Sequence, residues 1–146
     1  LLDDAAAALR TAAAAVVVVV HDRAEAWALA DRLVVLLDGR IAAQGTPRDV
    51  LERPPSAAVA RFLGFTGELR DGDGLLLTRP AHVVLDPDGE LSATVTRLVP
   101  LEDGARAELQ TERGRLQALV AVPGPAVGDS VRVRIAGGVR FAPERG

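Results

Sequence analysis

The 146-residue chain carries 17 basic and 20 acidic side chains, a formal charge of −3 and a pI of about 5.4, and its size suits one domain or two small ones. Every basic residue is arginine, and there is neither lysine nor cysteine, which excludes disulfides and thiolate metal sites. Hydrophobic residues make up 49%, yet the uncharged run Thr11–Val20 is about half the length of a membrane-spanning helix and no secretion-signal pattern opens the sequence, so a soluble or peripheral protein is expected.

Through residue 65, helical and strand patterns alternate, as in α/β proteins. The alanine-rich stretch from Ala5 to Ala15 predicts a helix. Val16–Val20 is apolar on both faces, as in a parallel strand buried between helices, and is expected at the centre of a sheet. Helical spacing resumes over Arg23–Arg32. Leu33–Leu37 predicts a second strand, and Asp38-Gly39 signals a hairpin turn into Arg40–Gln44.

Thr46-Pro47 supplies an N-cap and a first-turn proline for a short helix ending near Glu52, with Asp49 placed to favour its dipole. Arg53-Pro54-Pro55-Ser56 ends that helix and caps another, in which Val59, Phe62 and Leu63 are expected on one buried face. Gly64 stops it.

From Thr66 onward the pattern changes to short alternating segments separated by turns, which reads as all-β. Candidate strands are Leu75–Leu77, His82–Leu85, Leu91–Leu98, Ala105–Gln110, Leu116–Val122 and Val131–Ile135. Gly- and Pro-bearing turns such as Pro87-Asp88-Gly89 separate them. Strands at this spacing suggest a small barrel.

A strand that ends in His21-Asp22 and passes directly into a helix places the imidazole at the carboxyl edge of the sheet, where open α/β folds bind ligands. Asp22 and Glu25 have capping-box spacing, which gives them a structural role. His21 alone admits two readings: a satisfied histidine at a strand end, or a group that reaches a phosphate. Asp3 and Asp4 likewise read either as an N-cap for an Ala5–Ala14 helix or as a Walker B-like acidic pair, and the first reading is preferred.

The longer string from Val18-Val19-Val20-His21-Asp22 through Glu25-Ala26, Ala30-Asp31-Arg32, Asp38-Gly39-Arg40 and Gly45-Thr46-Pro47 closely resembles the switch-histidine region of ABC-transporter ATPases. The likeness continues through Val50-Leu51 and Ala60-Arg61-Phe62-Leu63-Gly64, as in importer subunits that carry an extra C-terminal domain. One departure is Val20, where the family usually has Thr or Ser.

This resemblance implies that His21 contacts the γ-phosphate of ATP held between two ATPase subunits and helps position the attacking water, the kind of contribution phosphoryl transfer requires. It further implies ATP and Mg²⁺ as cofactors of the complete protein. The implied partners are a second ATPase subunit in a homodimer, membrane permease subunits and, indirectly, a solute-binding protein. The implied location is the cytoplasmic face of a bacterial membrane.

A Walker A loop requires a lysine after its glycines to reach the terminal phosphates, and this sequence has none. It also has no Leu-Ser-Gly-Gly-Gln signature. The chain is therefore expected to be an N-terminally truncated subunit that cannot hydrolyse ATP by itself, and ferric iron, thiamine, polyamine, sugar, sulfate and molybdate remain open as substrates.

In the second half, Leu63-Gly64-Phe65, Thr78-Arg79-Pro80-Ala81-His82-Val83, Leu91–Leu98 and Val127–Ile135 are similar in order to the TOBE domain, an oligonucleotide-binding-like β-barrel appended to importer ATPases. The resemblance implies subunit contact, regulation or oxyanion binding as its role. Arg79 and His82 match a recurrent Arg-Pro-x-His pattern and are expected to support the fold. Thr94, Thr96, Ser130 and Arg132 are candidate oxyanion contacts. Nucleic acid is not an expected partner, because residues 66–146 carry ten Arg against twelve Asp and Glu, with Phe141 as their one aromatic, rather than a basic groove with stacking rings. The sequence thus predicts an α/β remnant of a P-loop ABC ATPase over residues 1–65, followed by an all-β TOBE-like barrel over 66–146. The competing reading is a non-enzymatic regulatory, dimerisation or oxyanion-binding module.

Overall fold

The computed structural model describes residues 2–12 and 15–143. Its contacts divide the chain into two compact units, Leu1–Leu63 and Gly64–Gly146. The division falls just before the boundary expected at residue 66. Phe65 is only 1% exposed and packs with Arg79 and His82 of the second unit.

In the first unit, α1 (Leu2–Ala12) begins earlier than expected and includes Asp3 and Asp4 in its first turn. They are therefore not the N-cap of a helix starting at Ala5. Acidic residues are favoured in a first turn by the helix dipole, and the alanines behind them are strong helix formers.

Val16–Val20 is a further correction. These residues have no regular secondary structure, with Val17 95% and Val19 83% exposed. A strand that is apolar on both faces is buried only where neighbouring strands and helices cover it. The two strands described in this unit pair only with each other.

Those strands, β1 (Leu33–Leu37) and β2 (Arg40–Gly45), form an antiparallel hairpin. Asp38 and Gly39 take φ of 51° and 74°, the two left-handed positions of a type I′ turn. Val35 faces Ala43 across the hairpin, and the two join Val50, Leu51, Val59 and Leu63 in one buried cluster. The helices α3 (Pro47–Glu52) and α4 (Ala57–Phe62) supply Val50, Leu51 and Val59.

Both helices start as their capping residues predict. The Thr46 hydroxyl accepts from the Asp49 backbone N–H and donates to the Asp49 carboxylate. Ser56 accepts from the Val59 N–H. Phe62, expected on the buried face of α4, is instead 62% exposed. Ala60 is fully buried beside Val59 and Leu63, which turns the inward face of the helix away from Phe62.

The Asp49 carboxyl is held below the usual carboxylate range by the Thr46 hydroxyl and then by Arg53. Replacing Thr46 with alanine removes both hydroxyl bonds. We expect Thr46→Ala to destabilise this unit by about 1 kcal/mol, measured by denaturant unfolding followed at Trp27, the single tryptophan. The same variant moves the Asp49 carboxyl upward in an NMR titration.

The second unit is a curled eight-stranded antiparallel sheet in the order β10-β4-β3-β8-β7-β6-β9-β5. Its strands are β3 (Gly67–Asp71), β4 (Gly74–Thr78), β5 (Val83–Leu85), β6 (Leu91–Leu101), β7 (Gly104–Thr111), β8 (Gly114–Val120), β9 (Ser130–Ile135) and β10 (Val139–Phe141). A 3₁₀ turn over Pro80–His82 precedes β5, so His82 belongs to a turn rather than to the expected strand.

β3 and β10 are additional to the sequence expectation. The six expected strands are otherwise present with shifted ends. Although β5 lies at one end of the hydrogen-bonded order, it packs against β8, which gives the sheet its half-barrel curl. This form is compatible with a β-barrel domain.

Alternation fills the concave face: Leu91, Ala93 and Val95 from β6, Ala107 and Leu109 from β7, Leu116 and Ala118 from β8, and Val133 from β9. At Gly89 an added Cβ would collide with the Val133 backbone, so only glycine lets the β5–β6 turn close onto β9.

Candidate functional site

His21 is exposed and precedes α2 (Arg23–Leu29). Asp22 is in extended conformation at the N-cap, and its carboxylate accepts from the backbone N–H groups of Ala24 at 2.6 Å and Glu25 at 3.4 Å. This satisfies two of the donors left over at a helix start. Among the described hydrogen bonds, Glu25 makes no return contact to the Asp22 backbone, so the reciprocal half of the expected capping box is not formed. Ala26 anchors the helix as its buried residue.

The local geometry thus fixes the chain direction at Asp22 and leaves the imidazole of His21 open to solvent. The structure places Asp3 and Asp4 on α1. Among the described residues no group of three His, Asp or Glu side chains is arranged to hold a metal ion.

In the second unit, the oxyanion candidates are spread along the exposed side of the sheet. Thr94 and Ser130 are cross-strand partners on β6 and β9. The Thr96 hydroxyl donates to the Glu108 carbonyl on β7, where a register shift interrupts the β6–β7 ladder. Arg132 is already engaged by the Gly89 carbonyl at 2.7 Å and the Ser92 hydroxyl at 3.0 Å. Hydrogen bonds to the protein thus occupy Thr96 and Arg132.

Arg79 and His82 do converge, around the Phe65 ring. The Arg79 guanidinium carbon lies 4.2 Å from the centre of the Phe65 ring, within cation–π range. The His82 ring is 5.8 Å from it, tilted by 47°. The Arg79 backbone N–H donates to His82 Nδ1 at 3.1 Å, so this nitrogen carries no proton. Burial, followed by the Arg79 charge, pushes the His82 pKa below the ordinary histidine value.

No protein-family model matches the chain. Curated relatives do match it. It is 41% identical to the Fe(3+) ions import ATP-binding protein FbpC of Streptomyces coelicolor, over 77% of this chain and 40% of that one. It is 37% identical to the protein of the same name in Streptomyces avermitilis, over 86% of this chain and 39% of the relative. A shorter match, 36% identical over 43% of this chain, is to the spermidine/putrescine import ATP-binding protein PotA of Bacillus thuringiensis.

These similarities make the chain a homologue of ATP-binding subunits of ABC importers. Relatives that cover most of it include Fe(3+) import proteins, at 31–41% identity for several of them, and the chain spans about two fifths of their length.

Proposed function

We propose that residues 1–146 are the C-terminal part of an ABC importer ATP-binding subunit, with His21 as its switch histidine and residues 66–146 as its TOBE domain. The observation that carries the reading is the exposed imidazole of His21 set directly before the Asp22-capped helix, within a continuous His21–Gly64 string that resembles the switch region of these ATPases. An exposed imidazole fits one contact to a terminal phosphate. ATP supplies the phosphoryl group and Mg²⁺ neutralises its charge in the complete subunit. The lysine and acids that hold them would come from other parts of that subunit, since this sequence contains no lysine. The chain by itself is then not competent to hydrolyse ATP.

In this reading the subunit pairs with a second copy and docks on membrane permease subunits at the cytoplasmic face, coupling hydrolysis to uptake. Ferric iron is the favoured substrate because relatives that cover most of the chain are named for it.

The test is a graft. Residues 20–146 replace the matching segment of the Streptomyces coelicolor relative, and ATP turnover is measured with purified protein. Turnover near that of the unaltered relative supports the reading. A folded graft without turnover contradicts it.

A further inference from the structure

We propose that His82 is a proton-sensitive latch of the β unit: its neutral imidazole holds the Pro80–His82 turn closed beside the Phe65 lead-in and beneath Gly137, and protonation loosens this arrangement. Three contacts meet at this residue. Its Nδ1 accepts the Arg79 N–H, its backbone carbonyl accepts the Ala136 N–H at 2.7 Å, and its ring packs beside Phe65. Gly137 has no side chain at the point where a Cβ would stand about 2.8 Å from His82 Cδ2, so the loop closes directly over the imidazole.

Protonation places a hydrogen on the nitrogen that now accepts one. The Arg79 N–H then faces an N–H instead of a lone pair, and a second positive charge forms beside the Arg79 guanidinium. Either change opposes the closed arrangement.

Arg79, on the same turn as His82, opposes protonation. β4 is uncharged, and Gln117–Val120 of β8 are uncharged. On β9, Arg134 is paired with Asp86 at 3.2 Å. The Glu90 carboxylate is engaged by the Ile135 N–H. On β10, Arg140 is paired with Asp71.

The direction of the pH effect follows from the lowered pKa. Above the ordinary histidine value of about 6.5, His82 is neutral in both folded and unfolded chains and the latch contributes fully. As pH falls below that value the unfolded chain takes up the proton first, so stability declines until the folded pKa is passed.

The experiment is an NMR titration of the full chain between pH 4.5 and 8, with His21→Gln used to assign the two histidines. The expected result is a His82 midpoint below the ordinary histidine value of about 6.5, with the Arg79 amide and the Phe65 ring resonances shifting at the same midpoint. Arg79→Gln should move that midpoint upward. Gly137→Ala, which crowds the ring, should shift the Phe65 resonances at neutral pH as acid does in the parent. A His82 midpoint at or above 6.5, or Arg79 and Phe65 resonances that do not follow it, overturns the proposal. The titration of the unaltered chain decides the matter even if a variant fails to fold.

Discussion

Replacing His21 with alanine in the grafted subunit is expected to lower ATP turnover on the order of 10²-fold or more, with thermal unfolding unchanged. The side chain is exposed and lies outside both buried clusters, so little folding energy is at stake. Its proposed work lies in the reaction itself. A positioned donor beside the terminal phosphate stabilises charge that grows in the transition state, and such donors commonly supply factors of this size. His21→Gln retains a hydrogen-bonding group and should lose less. Asp22→Ala is the contrasting variant: it removes a cap, so stability should fall while the imidazole is kept. Equal turnover in the parent graft and in its His21→Ala variant would remove this histidine from the reaction.

Leu69→Ala is expected to have the largest effect on stability, a loss of about 2–5 kcal/mol. Leu69 is fully buried on β3, within the cluster that also holds Leu76, Val83, Leu109 and Leu116. β3 meets β8 through only two registered pairs, Glu68 with Arg115 and Leu69 with Gly114. Truncation there leaves a cavity where few ladder bonds hold the strands together. A domain stable by only about 5–15 kcal/mol would lose much of its margin. Leu119→Ala is the control: Leu119 is 55% exposed on β8, and its loss should cost no more than about 0.5 kcal/mol. Calorimetric unfolding distinguishes the two, and equal costs would mean that the concave face is not the core of this unit.

Features set by neighbouring residues were legible in the sequence. Asp38-Gly39 specified its turn because both positions require positive φ. Thr46-Pro47 and Ser56 specified helix starts because a side-chain oxygen three residues ahead of a backbone N–H closes a local bond. Strands from β6 to β9 announced themselves through alternation over six or more residues.

Features set by partners elsewhere in the chain were not legible. β3 offers one fully buried side chain of its own, Leu69, and β10 has only three residues. Both are strands because β4 lies between them and pairs with each. Val16–Val20 shows the converse, a strand-like composition without strand partners among the described residues. At the candidate site, the Asp22 cap was legible from local spacing, whereas the role proposed for His21 rests on the family resemblance. The meeting of Phe65 with Arg79 and His82 depends on a tertiary contact that no local pattern encodes.

The central claim, that this chain is the C-terminal part of an importer ATP-binding subunit, is tested most directly by sequencing the DNA upstream of the codon for Leu1. The account predicts one continuous reading frame encoding a Gly-x-x-x-x-Gly-Lys loop followed by Ser or Thr and a Leu-Ser-Gly-Gly-Gln signature, within the part of the relatives' length that this chain does not span. A frame that extends upstream without either motif would contradict it.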